Sequence, residues 1–553
     1  MNVSFISPAL WYQCLILIAL LLLPLSAVQA QEQVQEQARE QPRPWGSWLT
    51  WGDQGDGTYH NPVLPGDYSD LDCIRIGSDY YVISSTMQFS PGMVILHSKD
   101  LVNWSILGHV VSDLTQIGPE LNWDRMNRSG KGVWAGAMRY HDNKFRVYFG
   151  TADEGYFMTS AANPAGPWAP LTSFMKESGW DDCCPFWDDD GQGYFIGTRF
   201  KDNYKTYIFK MTPDGRAPIK ESAVLVNEGA HREANKLFKK DGLYYHFFSE
   251  VKGARVVMMQ RSSKVLGPYT EKKQLTDQNR EAKEPNQGGI VDTENGDWYF
   301  FTHHGTGDWE GRAASLLPVT WVDGWPLIGE TGPHGLGRMA WSGKKPVQNM
   351  PIVTPQTSDE FNTSTLPVQW EWNYQPRPDK WSLAQRPGWL RLHAFKPLQA
   401  DHLLKAGNTL TQRSMRTNSN EVVIKLDLSG MAHGQKAGLC HFAAMHHSVL
   451  GVAQEGTTRT LEYKKDGEIT RGDVLSGNSL WLRSIWGLDG KSQYSYSLDG
   501  TTFTDFGEPY QLMWGAYRGD RIGIYTYNNK SESGYVDVDF FHYTYHGPHS
   551  PNR

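Results

Sequence analysis

Cysteine is scarce in this chain: five residues in 553, with no C-x-x-C pair and no cysteine–histidine cluster at zinc spacing. That excludes a disulfide scaffold and a structural zinc module. An excess of positive charge is also missing. Lys and Arg number 53 against 60 Asp and Glu, a formal net charge of −7, which leaves no basic footprint for nucleic acid. Beyond residue 30 no segment is long and apolar enough to cross a bilayer. Helical periodicity is sparse as well. Aromatic residues, by contrast, make up 13% and include 22 Trp. Part of that supply is the core of a β protein. The rest fits the flat ring surfaces from which sugar clefts are built.

The N-terminus carries an address. CLILIALLLLPLSAVQA, residues 14–30, is apolar and then small, with Val28 and Ala30 where a signal peptidase reads. Residues 1–30 are therefore expected to be a signal peptide, and the protein secreted or periplasmic, with no membrane contact after its removal. Residues 31–56 begin with QEQVQEQAREQPRP and read as a polar linker. Cys73, Cys183, Cys184 and Cys440 remain. The adjacent Cys183 and Cys184 allow two readings, a vicinal disulfide or two small buried residues.

A repeat lies in the turns. DCIRIGSDYYVISS from Asp72, MRYHDNKFRVYFGT from Met138 and PFWDDDGQGYFIGT from Pro185 share one pattern with KLFKKDGLYYHFFSE from Lys236 and IVDTENGDWYFFTHH from Ile290. Each is a strand, a turn rich in Gly, Asp or Asn, then an aromatic strand, which is the signature of a β-hairpin. A second hairpin pattern follows each one. Two hairpins make a four-stranded sheet, and five such units at intervals of 47 to 64 residues read as five propeller blades. The aspartates at 188–190 are then solvated turn formers. They do not form a calcium loop, since an EF-hand frame ending its turn at Gly191 would start at Phe186.

Seven or eight residues ahead of the turns stand Asp70, Trp134, Asp182, Glu233 and Gln287 in blade order. The first strand of each blade lines the axis of a propeller, so equivalent positions converge on one mouth. Three of the five are acids. Crowded carboxylates force one another's pKa values apart. Two carboxyl groups in different protonation states are what glycoside cleavage requires.

These segments resemble glycoside hydrolase family 43, the five-bladed propeller enzymes that act mainly as β-xylosidases and α-L-arabinofuranosidases. The likeness runs through NPVLPGDYSDLDCIRIGSDYYVISST, GWDDCCPFWDDDG and GAHREANKLFKKDGLYYHFFSE. It implies Asp70 as general base, Asp182 as the residue that tunes the acid and orients the sugar, and Glu233 as general acid. The same resemblance places Phe89 and Trp134 as pocket walls and Arg312 beside the pocket. Ser69 and Leu71 replace the prolines that usually flank the base. Gln287 stands where the family often has an axial histidine. An amide is a poorer ligand than imidazole for most ions, so no metal site is expected, although calcium accepts amide oxygens and a structural calcium stays open. No cofactor takes part in the chemistry.

After residues 350–356 the pattern becomes strict alternation around tight turns, as in EVVIKLDLSG and YVDVDFFHYTY. The expected fold class is all-β: a propeller over 57–349 and a β-sandwich over 350–553, which resembles the concanavalin-like jelly roll that follows the propeller in many family members. The expected function is an inverting exo-glycosidase that releases xylose from xylo-oligosaccharides. An α-L-arabinofuranosidase acting on arabinose-decorated xylan is the alternative within enzymes, and a non-catalytic carbohydrate-binding protein the alternative outside them. The leader makes its own prediction: protein recovered after export begins at Gln31 by N-terminal sequencing, and retention of residues 1–30 contradicts it.

Overall fold

The computed structural model describes residues 50–277, 285–304 and 308–548. The expected signal peptide and most of the expected linker lie outside them. Five antiparallel four-stranded sheets follow one another along the chain. Their innermost strands are Asp72–Ile76, Gly136–His141, Trp180–Trp187, Glu233–Lys240 and Pro285–Asp292. Each of these strands packs on the next, and the fifth returns to the first, which closes the propeller ring.

The hairpins form where the turn residues predicted them. Asp142 and Asn143 both have positive φ, at 50° and 55°, between the paired His141 and Lys144. Asp241 and Gly242, at 50° and 76°, do the same between Lys240 and Leu243. Two consecutive positive φ values match the right-handed twist of the flanking strands, and Asn, Asp and Gly tolerate them at least cost.

The expected linker ends sooner than residue 56. Gly52–Asp53 is already a strand, paired with Thr58–His60, which pairs in turn with Ser342–Lys344. The ammonium of Lys345 lies buried between Asp53 and Asp100. The chain entering the propeller is thereby clasped to the chain leaving it.

The sandwich consists of two sheets. Asn420–Asp427 alternates buried and half-buried residues along its whole length, and Val422, Ile424 and Leu426 meet Leu439, Leu450 and Ile522 of the opposite sheet. That is the period-two pattern of a strand with one face in the core. One edge of the sandwich is supplied by the propeller. Phe89–Ser90, between the second and third strands of blade one, pairs with Glu371–Asn373. Phe89 is fully buried there, beneath the guanidinium groups of Arg518 and Arg521.

A buried ion cluster stands beside this seam. The carboxylate of Glu371 meets Arg413 at 3.0 Å, Arg521 at 2.8 Å and His109 of blade one at 3.1 Å. Burial alone would raise the Glu371 pKa. The two guanidinium groups outweigh it and hold the carboxyl below the usual carboxylate range. Removing one partner leaves the others charged and unpaired in the interior. Glu371→Ala is therefore predicted to cost about 3–5 kcal/mol, read by denaturant unfolding, and a loss under about 1 kcal/mol would show that the cluster is not holding the seam.

Candidate active site

The five register positions meet. Asp70, Trp134, Asp182, Glu233 and Gln287 all line one cavity of about 220 Å³, together with Arg312. Asp70 and Trp134 stand just ahead of an innermost strand, Glu233 opens one, and Asp182 and Gln287 lie near the start of theirs. Hairpin turns take the far end of the same strands, so the sheets that carry the acids are anchored away from them.

The backbone is bent to aim these side chains. Strand pairing slips between Asp181 and Cys184, between Glu233 and Lys236, and between Pro285 and Gly288. Three blades thus carry a bulge at the same level, and a bulge re-aims the side chain it displaces. Asp70, Asp182 and Ala234 adopt left-handed φ values of 57°, 52° and 67°. Aspartate visits that region more readily than most residues. Alanine does not, so the bend after Glu233 stores strain on the order of 1–3 kcal/mol.

Each acid has its own surroundings. Asp70 accepts a hydrogen bond from Arg312 Nη1 at 2.8 Å on Oδ1 and one from Ser85 Oγ on Oδ2, with His303 Nε2 at 3.7 Å. Glu233 Oε1 lies 2.8 Å from Arg255 Nη1, which also donates to Ser249. Among the described residues no Lys, Arg or His makes an ion pair with Asp182. Gln287 Nε2 donates to its Oδ1 at 2.9 Å. Burial, then the neighbouring charges of Glu233 and Asp70, push the Asp182 pKa up to about 7, against the backbone N–H of Ala234 and the cation of Lys236.

Several expectations are corrected and several residues added. Phe89 is not a pocket wall: it lies in the seam with the sandwich and does not line the cavity. Cys183 and Cys184 are free, buried thiols, and Cys184 Sγ accepts from Arg139 and from the Leu237 N–H. Among the described residues no three His, Cys, Asp or Glu side chains converge on one ion position, and Gln287 binds Asp182 through its N–H, not its carbonyl oxygen. Trp134 lines the cavity as expected, its indole N–H bonded to Gly130 O and its ring 6.1 Å from that of Phe200. Residues not singled out from sequence include Asp181, Thr198 and Tyr204 of blade three and Tyr517 of the sandwich. Asp181 adjoins Asp182 and was legible as the first half of the DD pair. Tyr517 carries no signal, because it comes from another domain almost 300 residues beyond Glu233.

Carboxyl groups from different blades facing one cavity are the kind of arrangement that glycosidases use. Residues 59–326 match the family described as glycosyl hydrolases family 43, and residues 358–544 match the β-xylosidase C-terminal concanavalin A-like domain. A β-xylosidase of Formosa agariphila is 35% identical over 558 residues, 91% of this chain and 93% of that protein. A non-reducing end α-L-arabinofuranosidase of Bacteroides ovatus is 29% identical, over 63% of this chain and 67% of that one. A solved bifunctional GH43-CE protein of Bacteroides eggerthii superposes with a TM-score of 0.78 at 28% identity, over 88% of this chain and 64% of that one. The chain belongs to glycosyl hydrolases family 43, and it is a glycoside hydrolase.

The Asp182 shift has a sign. A carboxyl whose folded pKa lies above its unfolded value contributes stability at low pH and loses it as pH rises through the folded pKa. The window here is about pH 4 to 7, from the ordinary 3.8 to about 7. Three units correspond to about 4 kcal/mol at most. Asp182→Asn keeps the shape without the charge. It is predicted to melt several degrees above wild type at pH 8 and to lose that advantage near pH 4, by scanning calorimetry. An advantage independent of pH would contradict the assignment.

Proposed function

We propose that this enzyme is an exported, inverting, exo-acting β-xylosidase that removes xylose from the non-reducing ends of xylan-derived oligosaccharides. The observation that carries the reading is the convergence of Asp70, Asp182 and Glu233, from three different blades, on one cavity. Asp70, fixed by Arg312 and Ser85, takes a proton from the attacking water. Water oxygen bonds to the anomeric carbon as the bond to the leaving oxygen breaks, and Glu233 supplies that oxygen with its proton. Asp182 is the electrostatic neighbour of both and a ligand for the sugar hydroxyls. Direct attack by water inverts the anomeric centre, with no covalent intermediate. The apolar leader supports export.

Exo action is supported by the sandwich. The segment around residues 515–518 turns back on itself, lies against Gly130 of the propeller, and carries Tyr517 to the cavity. An open cleft would admit chain on both sides; here a second domain reaches one of them. The family name shared with the Bacteroides ovatus relative favours a second reading, cleavage of α-L-arabinofuranosides in the same pocket. Xylopyranose and arabinofuranose present similar hydroxyl patterns, so the walls decide between them.

Hydrolysis of the chromogenic β-D-xyloside and α-L-arabinofuranoside tests the reading. Asp70→Ala and Glu233→Ala are each expected to lower kcat/KM by about 10²–10⁴, and proton NMR during turnover should show the inverted anomer first. The faster substrate names the specificity. First release of the retained anomer would overturn the mechanism, and full activity in either variant would overturn the roles.

A further inference from the structure

A second cavity lies where the propeller meets the sandwich. It measures about 230 Å³, against about 220 Å³ for the catalytic cavity. The propeller supplies Gln88 and Ser129 to its lining, and the sandwich supplies Tyr374, Lys405, Phe442 and Arg518. No Asp or Glu lines it among the described residues. The catalytic cavity has the opposite character, with Asp70, Asp181, Asp182 and Glu233 in its walls.

Arg518 sets the charge of this second cavity. The residue is 2% exposed. Its guanidinium carbon lies 4.4 Å over the Phe89 ring, and Nη1 donates to Gln88 Oε1 at 2.6 Å. A guanidinium carries five N–H donors, and among the described residues no other acceptor meets this one. Its remaining side-chain nitrogens are within reach of water. No carboxylate makes an ion pair with it. Glu371 is taken by Arg413 and Arg521, and Asp67 Oδ1 accepts from Ser69 Oγ and the Arg312 N–H. Burial first, then repulsion by Arg521, push the Arg518 pKa down to about 9. The second cation, Lys405, donates to Met126 O at 2.6 Å and likewise has no acidic partner among the described residues. Burying a charge is costly unless an opposite charge meets it. Here two cations face one cavity, and the protein sets no acid against them.

The two cavities share a partition. Met87 and Tyr517 line the catalytic cavity, and the residues that follow them, Gln88 and Arg518, line this one. Met87, Ala516 and Tyr517 hold left-handed φ values of 56°, 52° and 69°. None is a glycine, so the fold enforces each bend, as it does at sites where a ligand is gripped.

We propose that this interdomain cavity is a second sugar site, one that takes a monosaccharide carrying a carboxylate, such as a hexuronate. The planar guanidinium fork of Arg518 matches a carboxylate in shape and charge, and Lys405 adds a second positive charge. Room equal to that of the catalytic cavity, with Tyr374 and Phe442 in the lining, suits a sugar ring better than a bare ion. The acidic lining of the catalytic cavity disfavours the same ligand. The two sites therefore sort acidic from neutral sugars, and this one does not depend on which pentoside the other cleaves.

Isothermal titration calorimetry of the full-length enzyme at low ionic strength tests the proposal, with sodium D-glucuronate, D-glucose, acetate and phosphate as probes. Glucuronate is expected to bind at one site, and glucose, which lacks the carboxylate, at least about tenfold more weakly. Arg518→Met should weaken glucuronate by about tenfold or more, and Lys405→Gln by about threefold. The half-buried Lys405 keeps the test decisive if Arg518→Met fails to fold. No binding of glucuronate would overturn the proposal. Binding that neither variant weakens would overturn it too, because the ligand would then sit elsewhere. Acetate or phosphate bound as tightly as glucuronate would make the cavity a site for any small anion and overturn the sugar assignment. None of these outcomes bears on the catalytic reading.

Discussion

Negative charge held close to negative charge is the constraint on which the rest of the structure depends. Asp70, Asp181, Asp182 and Glu233 face one cavity. Left alone, such a group would protonate or part. The fold holds them together with partners that differ from one group to the next. Asp70 and Glu233 each receive an arginine in contact, Asp182 receives an amide, and Asp181 Oδ1 has no hydrogen-bond partner among the described residues. The result is a set of different surroundings around a single pocket. Glycoside cleavage uses that arrangement, because one group must give a proton while another takes one.

Holding the acids there demands a rigid frame, and the ring supplies it. Three innermost strands carry bulges at the same level, and Asp182 and Ala234 in two of them sit at left-handed φ, as does Asp70 ahead of the blade-one strand. Such bends persist only when the strands on either side are fixed. The closed cycle of innermost strands and the clasp of Gly52–Asp53 to the chain leaving the propeller provide that fixity. The sandwich is part of the same frame. It borrows Phe89–Ser90 as an edge strand, buries Glu371 between two arginines and a blade-one histidine, and returns Tyr517 to the cavity.

The propeller was legible because its turns repeat. Asp142–Asn143 and Asp241–Gly242 announce their hairpins through residue type alone, and counting back from such turns reached all five register positions that line the cavity. What failed was anything set by contact between distant segments. Phe89 reads as a pocket aromatic by its place in the chain, yet it serves as a sandwich strand, because its partner Glu371–Asn373 lies about 280 residues away. Tyr517 and Arg255 were missed for the same reason: nothing local marks them. Gln287 was legible as a position but not as a function. Its replacement of an axial histidine suggested a weaker ion site, whereas its amide is the hydrogen-bond partner of Asp182.

The central claim is that these converging carboxyls are a working pair of acid and base around one sugar. A crystal structure of the Glu233→Gln variant with xylobiose tests it most directly. The account predicts the terminal sugar in the propeller cavity, the glycosidic oxygen within about 2.6–3.2 Å of the residue 233 side chain, and a water held by Asp70 on the opposite face of the ring. A disaccharide bound on the sandwich, or one in the cavity with both carboxyl positions on the same face of the anomeric carbon, would contradict it.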